Sequence, residues 1–210
     1  MTETALIVGA GLGLSASLAR LCIKDGMKVA IAARNIDKLA DLAAETGTEL
    51  HQCDAGDIES VAALFAATDK TIGTPNLVVY NPSARVRGPI TEVDPVETRD
   101  AINITCFGAF LVAQQAAKRM VERGNGSIFF SGASAGVKGY PRSSVFAMGK
   151  FGLRGLCQSL ARELHPQGIH IGHFVIDGGI RAEHRPERHD DGSDTMLDPD
   201  AIAESYMHLH

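Results

Sequence analysis

Three glycines near the amino terminus are spaced so that the backbone can bind phosphate. Gly9, Gly11 and Gly13 follow an apolar run typical of a strand and precede apolar residues at helical spacing. Glycines at such a turn permit positive φ and let backbone N–H groups and a helix N-terminus approach a pyrophosphate. We therefore expect Gly9, Gly11, Leu12, Gly13 and Leu14 to bind a dinucleotide. The alternative is a plain packing turn.

The end of the second predicted strand bears on which dinucleotide binds. NAD sites usually carry Asp or Glu about 20 residues beyond the glycines, where it accepts hydrogen bonds from the ribose hydroxyls. Here Ala33 is followed by Arg34 and Asn35. An arginine suits the 2′-phosphate of NADP, because the guanidinium offers charge and a fork of donors. We predict NADP in preference to NAD, the alternative being a solvated arginine at a strand end.

Apolar runs alternate with helical stripes along the chain, which is the rhythm of parallel βαβ units. The predicted strands cover residues 4–9, 27–33, 48–53, 76–81, 126–131 and 169–176. Stripes such as Leu14, Leu18 and Leu21 predict helices that pack on a sheet. The predicted fold class is α/β, a doubly wound Rossmann-type parallel sheet of six strands with helices on both faces. Such a sheet binds its ligand at the carboxyl ends of the strands.

Chain length and the distribution of residue types along the chain predict a single dinucleotide-binding domain over residues 1–210. A chain of 210 residues can bury one core but has no room for a second catalytic domain. Ten of the twenty residues in 181–200 are charged and apolar periodicity is nearly absent, so we predict a mobile loop or lid there. Asp198 and Pro199 then indicate the N-cap and first residue of a final helix.

Charge and composition argue against several other classes of protein. The net charge is −5 and the 20 Lys and Arg residues are scattered, so we expect no nucleic-acid or membrane partner. The four cysteines have no CxxC spacing, and no leader or long apolar run is evident, which favours a cytoplasmic location. The histidines lack metal-ligand spacing, so no metal site is predicted.

From about residue 4 to about residue 182, the chain resembles the short-chain dehydrogenase/reductase family. Gly9 and Gly13 match the family's TGxxxGxG loop, whereas Val8 stands for its threonine and Ser15 for its last glycine. The resemblance implies an oxidoreductase with a nicotinamide cofactor and a small carbonyl or alcohol substrate.

The resemblance also implies cofactor contacts after strands three, four and six. Asp54, followed by Ala55, matches the acidic residue that accepts a hydrogen bond from the adenine amino group. Asn81 remains from the family's NNAG motif, which implies an altered wall beside the adenine ribose. Gly178 and Ile180 remain from PGxIxT, so a backbone contact from Ile180 to the nicotinamide carboxamide is expected.

Only part of the family's catalytic tetrad is present in this chain. Asn103 matches the helix asparagine and Lys150 the lysine of YxxxK, and both also hold the nicotinamide end of the cofactor in the family. Phe146 occupies the tyrosine position and Ala133 the serine position thirteen residues upstream. The family's tyrosine donates a proton to the carbonyl oxygen, and phenylalanine has no such proton. The chain is therefore identified as a divergent member lacking the usual catalytic Tyr and Ser.

Three residues are candidates for the missing chemistry. Ser134 is one residue out of register, and Tyr140 lies in the same strand-to-helix loop; the alternatives are a turn serine and a rim aromatic. Lys150 can donate through a water held by Asn103. The first hypothesis is an NADP(H)-dependent oxidoreductase that interconverts an alcohol and a carbonyl with altered proton donation. The second is a non-catalytic NADP(H)-binding sensor or an inactive partner subunit.

The resemblance further implies a homo-oligomer, a dimer or a tetramer, because the family commonly pairs its two long helices between subunits. Gly149, Gly152 and Gly155 permit close helix approach, either between subunits or within one. Relatives usually run longer and add a seventh strand, which this sequence lacks. We expect either a truncated chain or an open edge at strand six that a partner covers.

Overall fold

The computed structural model describes residues 2–182 and 196–210. The strands are β1 (Thr4–Val8), β2 (Lys28–Ala33), β3 (Glu49–Gln52), β4 (Leu77–Tyr80), β5 (Gly126–Ser131), β6 (Ile169–Phe174), β7 (Gly179–Ile180) and β8 (Met196–Leu197). The helices are α1 (Leu14–Lys24), α2 (Ala40–Thr46), α3 (Ile58–Thr71), α4 (Pro95–Ile102), α5 (Gly108–Arg123), α6 (Ser144–Leu164) and α7 (Pro199–Leu209). A π-helical segment (Asn103–Phe107) joins α4 to α5, and 3-10 turns cover Asp37–Leu39, Ser134–Gly136 and His165–Gln167.

Strands β1 to β6 form one parallel sheet in the order β3-β2-β1-β4-β5-β6. The predicted six-stranded parallel α/β fold is confirmed, and every strand end lies within two residues of its predicted place. The chain turns back between β1 and β4, the switch point at which such sheets bind ligands. The second sheet, formed by β7 and β8, was not predicted because two residues per strand carry no periodicity.

Strand β1 is buried along its whole length, because helices cover both faces of the sheet. Leu6 and Val8 belong to the core under α3, α5 and α6. Ala5 and Ile7 belong to the opposite core, under α1 and α7. This two-sided burial fixes the ends of the central strands, and with them the loops that follow. Within the described residues, no helix has the length and hydropathy needed to cross a membrane.

Helix α7 begins as the sequence predicts, since the Asp198 carboxylate accepts a hydrogen bond from the Asp200 N–H at 3.0 Å and Pro199 is the first helical residue. Tyr206 is fully buried; its ring stacks on Phe174 with centroids 3.5 Å apart. The predicted lid over 181–200 lies mainly at 183–195, outside the described residues, and its carboxyl end forms β8 and the start of α7.

Helix α6 packs closely against the π-helical segment. A Cβ on Gly149 would lie 2.9 Å from the Cβ of Thr105, and one on Gly152 would lie 2.7 Å from the Sγ of Cys106. These two glycines therefore serve packing within the subunit. A Cβ on Gly155 would meet no atom within 4 Å, so this position is open.

Candidate functional site

A cavity of about 1350 Å³ lies at the carboxyl ends of the strands. We distinguish its glycine-loop end, lined from residues 9–15, 33–38 and 53–55, from its α6 end, lined from residues 82–87, 131–135 and 140–150. Sixteen of the residues singled out from the sequence line it: Gly9, Gly11, Leu12, Gly13, Leu14, Arg34, Asp54, Ala55, Asn81, Ala133, Ser134, Tyr140, Phe146, Lys150, Gly178 and Ile180.

The glycine loop is held by backbone hydrogen bonds to the neighbouring strand β2. The N–H groups of Gly9 and Ala10 both donate to the carbonyl oxygen of Ala32 at 2.9 Å. Gly9 has φ +79°, and a Cβ there would lie 2.5 Å from Pro82. A Cβ on Gly11 or Gly13 would instead point into open space. The free N–H groups in the first turn of α1 and this open surface fit a pyrophosphate.

Asn81 joins the end of β4 to the glycine loop. Its side-chain Nδ2 donates to the Ser15 Oγ at 2.8 Å, and its backbone N–H donates to the Val8 carbonyl at 3.0 Å. Ser15 stands where the family's last glycine would be, and its hydroxyl also lies 3.4 Å from the Gly9 carbonyl oxygen. The contact between Asn81 and Ser15 therefore fixes the loop from the side of the neighbouring strand.

Arg34 is exposed and lies on the cavity wall directly after β2. Lys38, in the 3-10 turn that follows, lines the same end and adds a second cation. Among the described residues that line this end of the cavity, Asp54 is the one acidic residue. Its Oδ1 accepts a hydrogen bond from the Gly56 N–H at 2.9 Å. The surface beyond β2 is therefore positive, as a 2′-phosphate requires.

Asn103 is the one candidate residue that does not line the cavity. Its Nδ2 donates to the Gly56 carbonyl oxygen at 3.0 Å, and it begins the π-helical segment. In the described structure the side chain thus ties the end of α4 to the loop after β3.

Lys150 is almost fully buried, with 3% of its surface exposed, yet it reaches the cavity wall. Its Nζ donates to the Ser131 carbonyl oxygen at 2.6 Å. Burial, and secondarily the nearby charge of Arg85, lower the pKa of Lys150 to about 8. The ammonium group is therefore a stronger acid than an exposed lysine.

Phe146 lies one helical turn before Lys150 and is also buried. The Lys150 Nζ is 5.8 Å from the centroid of its ring, and the Arg85 guanidinium carbon is 4.1 Å from that centroid. Ala133 packs in the same small apolar cluster as Phe146. Two cations thus lie beside a buried apolar ring.

Ser134 and Tyr140 both line the cavity, and Tyr140 is the one at its exposed rim. Ser134 begins a 3-10 turn, and its backbone N–H donates to the Ile176 carbonyl oxygen at 3.3 Å. Tyr140 is 39% exposed, and the Nζ of Lys138 lies 5.3 Å from its ring centroid. Ser134 is therefore anchored to the segment after β6, whereas Tyr140 is a residue of the rim.

Gly178 and Ile180 line the cavity beside a short stretch of parallel sheet. Ile180 pairs with Leu197 across β7 and β8, and the Arg181 N–H donates to the Leu197 carbonyl at 2.9 Å. The Arg181 guanidinium also contacts the Asp198 carboxylate at 3.1 Å. This segment is thus fixed to the start of α7.

Sequence reasoning did not single out Lys38, Arg85 and Arg87, three of the basic residues of the cavity wall. Arg85 and Arg87 follow β4 by a few residues, but only the sheet order brings them to α6, which starts more than fifty residues later. The feature of the sequence that could have identified them is the Arg-Val-Arg pattern of residues 85–87. Within the described residues, no group of three or more His, Cys, Asp or Glu side chains is placed to hold a metal ion.

A glycine loop at the switch point of a six-stranded parallel sheet, joined by one cavity to a buried lysine, defines a Rossmann-like α/β fold with a candidate ligand site. The family model for short chain dehydrogenases matches residues 3–191. The chain therefore belongs to the short-chain dehydrogenase/reductase family, a family of oxidoreductases.

Relatives and solved structures agree with this assignment. An uncharacterized oxidoreductase of Staphylococcus aureus (strain N315) is 26% identical over 212 residues, which cover 98% of this chain and 90% of that protein. A short-chain dehydrogenase from Rhodopseudomonas palustris is 32% identical with a TM-score of 0.84, covering 99% of this chain and 91% of that one. Actinorhodin polyketide ketoreductase, solved with NADPH, shares the fold at a TM-score of 0.90 and 24% identity, covering 99% and 90% of the two chains.

Proposed function

We propose that this protein is an NADP(H)-dependent oxidoreductase that interconverts an alcohol and a carbonyl, with proton donation altered from the family pattern. The observation that carries the proposal is the single cavity that runs from the glycine loop to the buried Lys150. Such a cavity allows a cofactor held at one end to present its reactive group at the other.

The proposed cofactor contacts follow from the residues at each end. Backbone N–H groups around Gly11 and Gly13 would hold the pyrophosphate, and Arg34 with Lys38 would hold the 2′-phosphate. Lys150 would hold the nicotinamide end. A bound nicotinamide supplies or accepts the hydride.

The proposed proton donor is Lys150. Its pKa, lowered to about 8, matches the acidity required near neutral pH, where general acids work best. An ammonium group has three N–H donors, so the bond from Nζ to the Ser131 carbonyl leaves two for a carbonyl substrate or a bridging water. Ser134, which lines the same cavity, is proposed to hold the substrate oxygen, and Tyr140 is a less favoured donor because it lies at the rim.

The presence of Phe146 and Ala133 favours a second candidate function, a non-catalytic NADP(H)-binding sensor or an inactive partner subunit. Phe146 and Ala133 occupy the tyrosine and serine positions and pack together as an apolar cluster. Neither side chain can exchange a proton with a substrate.

The deciding experiment compares the wild type with Phe146→Tyr, Ala133→Ser and the double variant. NADPH oxidation is followed by absorbance with a panel of aldehydes and ketones, and NADPH binding is titrated separately by the fluorescence of the bound nucleotide. We expect turnover in the wild type and faster turnover in the double variant. If all four proteins bind NADPH and none consumes it, the catalytic proposal is wrong and the sensor is favoured.

We also propose a homo-oligomer, a dimer or a tetramer, in the cytoplasm. Phe107 and Phe110 stack with centroids 6.1 Å apart and are both exposed, and Met148 and Phe151 are exposed on α6. Exposed apolar residues on adjacent long helices favour burial against a second copy. Light scattering coupled to size-exclusion chromatography measures the oligomeric mass directly.

The proposed cytoplasmic location is supported by the free cysteines, which favour a reducing compartment.

A further inference from the structure

His173 lies on the face of β6 that packs under α6. Ile169 belongs to the core on this side of the sheet, and Ile171 packs against it. Because the side chains of a strand alternate between its two faces, the side chain of His173 lies on this side as well. Phe174, the next residue, packs against the opposite core. The imidazole is therefore on the side of the sheet that carries Lys150.

Gly132 brings the imidazole against the wall of the cavity. A Cβ on Gly132 would collide with His173 Nε2, so the approach of the ring depends on glycine at this position. Gly132 lines the cavity, and the carbonyl of the preceding residue, Ser131, accepts the hydrogen bond from the Lys150 Nζ. Two consecutive residues at the end of β5 thus contact Lys150 and His173 in turn.

The Nε2 atom of His173 is buried and has no hydrogen-bond partner among the described residues. A buried polar atom without a partner costs free energy in the folded protein, so its presence requires a reason. The residue as a whole is partly exposed. An imidazole with one nitrogen buried beside a cavity and partial access to solvent has the arrangement of a proton shuttle.

The charged groups that act on His173 are Lys150 and Arg154, and both come from α6. Burial lowers the pKa of His173, and the charges of Lys150 and Arg154 lower it further. From β5, its paired residue is Phe130, which carries no charge. The imidazole is therefore mostly neutral at pH 7, and a neutral imidazole can both donate and accept a proton.

We propose that His173 is a proton shuttle that restores the proton of Lys150 after each reduction. This inference rests on the proposed function, because Lys150 is the proton donor proposed there. Once Lys150 has passed one proton to the substrate oxygen, its amine must regain one from solvent. His173 takes that proton at Nδ1, and the imidazolium then releases its Nε2 proton to the amine, directly or through one water. One proton enters from solvent for each proton that leaves in the alcohol.

The first test measures the coupling of the two residues without turnover. Proton NMR follows the imidazole signals of the full chain against pH, and His173→Gln identifies the signal of His173 by its loss. We expect Lys150→Met to raise the pKa of His173, because it removes a nearby positive charge. His170→Gln is the matched control and should leave that pKa unchanged, since His170 is exposed on the same strand and its ring packs edge-on to Phe129.

The second test measures turnover by NADPH oxidation with the panel of aldehydes and ketones. We expect His173→Ala to lower kcat by about tenfold or more and to leave KM nearly unchanged, because the shuttle acts on Lys150 and not on the substrate. Added imidazole should restore part of kcat in this variant, which a purely structural role of the ring would not allow. His173→Gln fills the space of the ring and should lose kcat without rescue. His170→Ala should match the wild type with and without imidazole.

The two tests separate the failure of this inference from the failure of the proposed function. A wild type that oxidises no NADPH with any probe contradicts the oxidoreductase, and a pKa of His173 that still rises in Lys150→Met then supports the coupling of the two residues. A pKa that is the same in both proteins contradicts the inference with or without turnover. An undiminished kcat in His173→Gln, or a loss in His173→Ala that imidazole does not restore, overturns the shuttle and retains the oxidoreductase.

Discussion

At the glycine-loop end of the cavity, most of the shaping contacts are made by the backbone. Gly9 and Ala10 donate to the Ala32 carbonyl, and Gly11 and Gly13 leave the surface open. At the α6 end the corresponding contacts are made by side chains. The Lys150 ammonium reaches the Ser131 carbonyl, and Arg85 covers the ring of Phe146.

The difference suggests why, under the proposed function, a cofactor site would tolerate substitutions that alter a reaction site. A site built from backbone donors depends on the φ angles and on how closely a ligand can approach, and the bond from Asn81 to Ser15 helps to fix this loop. A site built from side chains changes its chemistry with a single substitution. Phe146 offers no phenol, and Lys150 and Arg85 are the cations beside its ring.

The largest expected effect comes from Lys150→Met, which changes the α6 end of the cavity and leaves the glycine-loop end unaltered. We expect kcat/KM for carbonyl reduction to fall by about 10²-fold or more, the usual range for loss of a general acid. We do not expect the melting temperature at neutral pH to fall, because methionine removes a charge whose burial is costly. Steady-state kinetics and thermal unfolding measure the two quantities. Undiminished turnover would assign proton donation to another residue.

The pH dependence of stability provides the control for Lys150→Met. The pKa of Lys150 is about 8 in the folded chain against an ordinary value of 10.5, so between these values only the unfolded chain keeps the proton. The free energy of unfolding therefore gains a contribution from Lys150 that rises with pH over this interval. We expect the variant to be the more stable protein below about pH 8 and the difference to shrink towards pH 10.5.

The next effect concerns the glycine-loop end and comes from Arg34→Ala. Loss of charge-assisted hydrogen bonds to a 2′-phosphate costs about 1.5–3 kcal/mol, so the Kd for NADPH should rise about 10- to 100-fold. The Kd for NADH should change little, because NADH lacks that phosphate. Fluorescence titration measures both, and Arg99→Ala is the matched surface control. Equal affinity of the wild type for the two nucleotides would contradict the choice of NADP.

The sequence predicts the fold, and it singles out residues that line the glycine-loop end of the cavity, since both depend on local pattern. The apolar run of β1, the glycines and Arg34 lie within a single βαβ unit, where periodicity and spacing are informative. The α6 end depends on contacts between distant segments. Arg85 meets Phe146 only because β4 and β5 are neighbours, and Asn103 bonds to Gly56 through a π-helical segment that no periodicity indicates.

The smallest expected effect comes from Tyr206→Phe, which tests how the α6 end is anchored from the opposite face of the sheet. The Tyr206 hydroxyl lies 2.8 Å from the buried Ser131 Oγ, on the residue whose carbonyl accepts the Lys150 ammonium. Removal of the phenol leaves the serine hydroxyl without this partner, so the free energy of unfolding should fall by about 1–2 kcal/mol. Urea unfolding measures this loss. Ser131→Ala combined with Tyr206→Phe removes both partners, so the double variant should lose less than the sum of the two single losses. Strictly additive losses would show that the hydrogen bond between Tyr206 and Ser131 contributes nothing to stability.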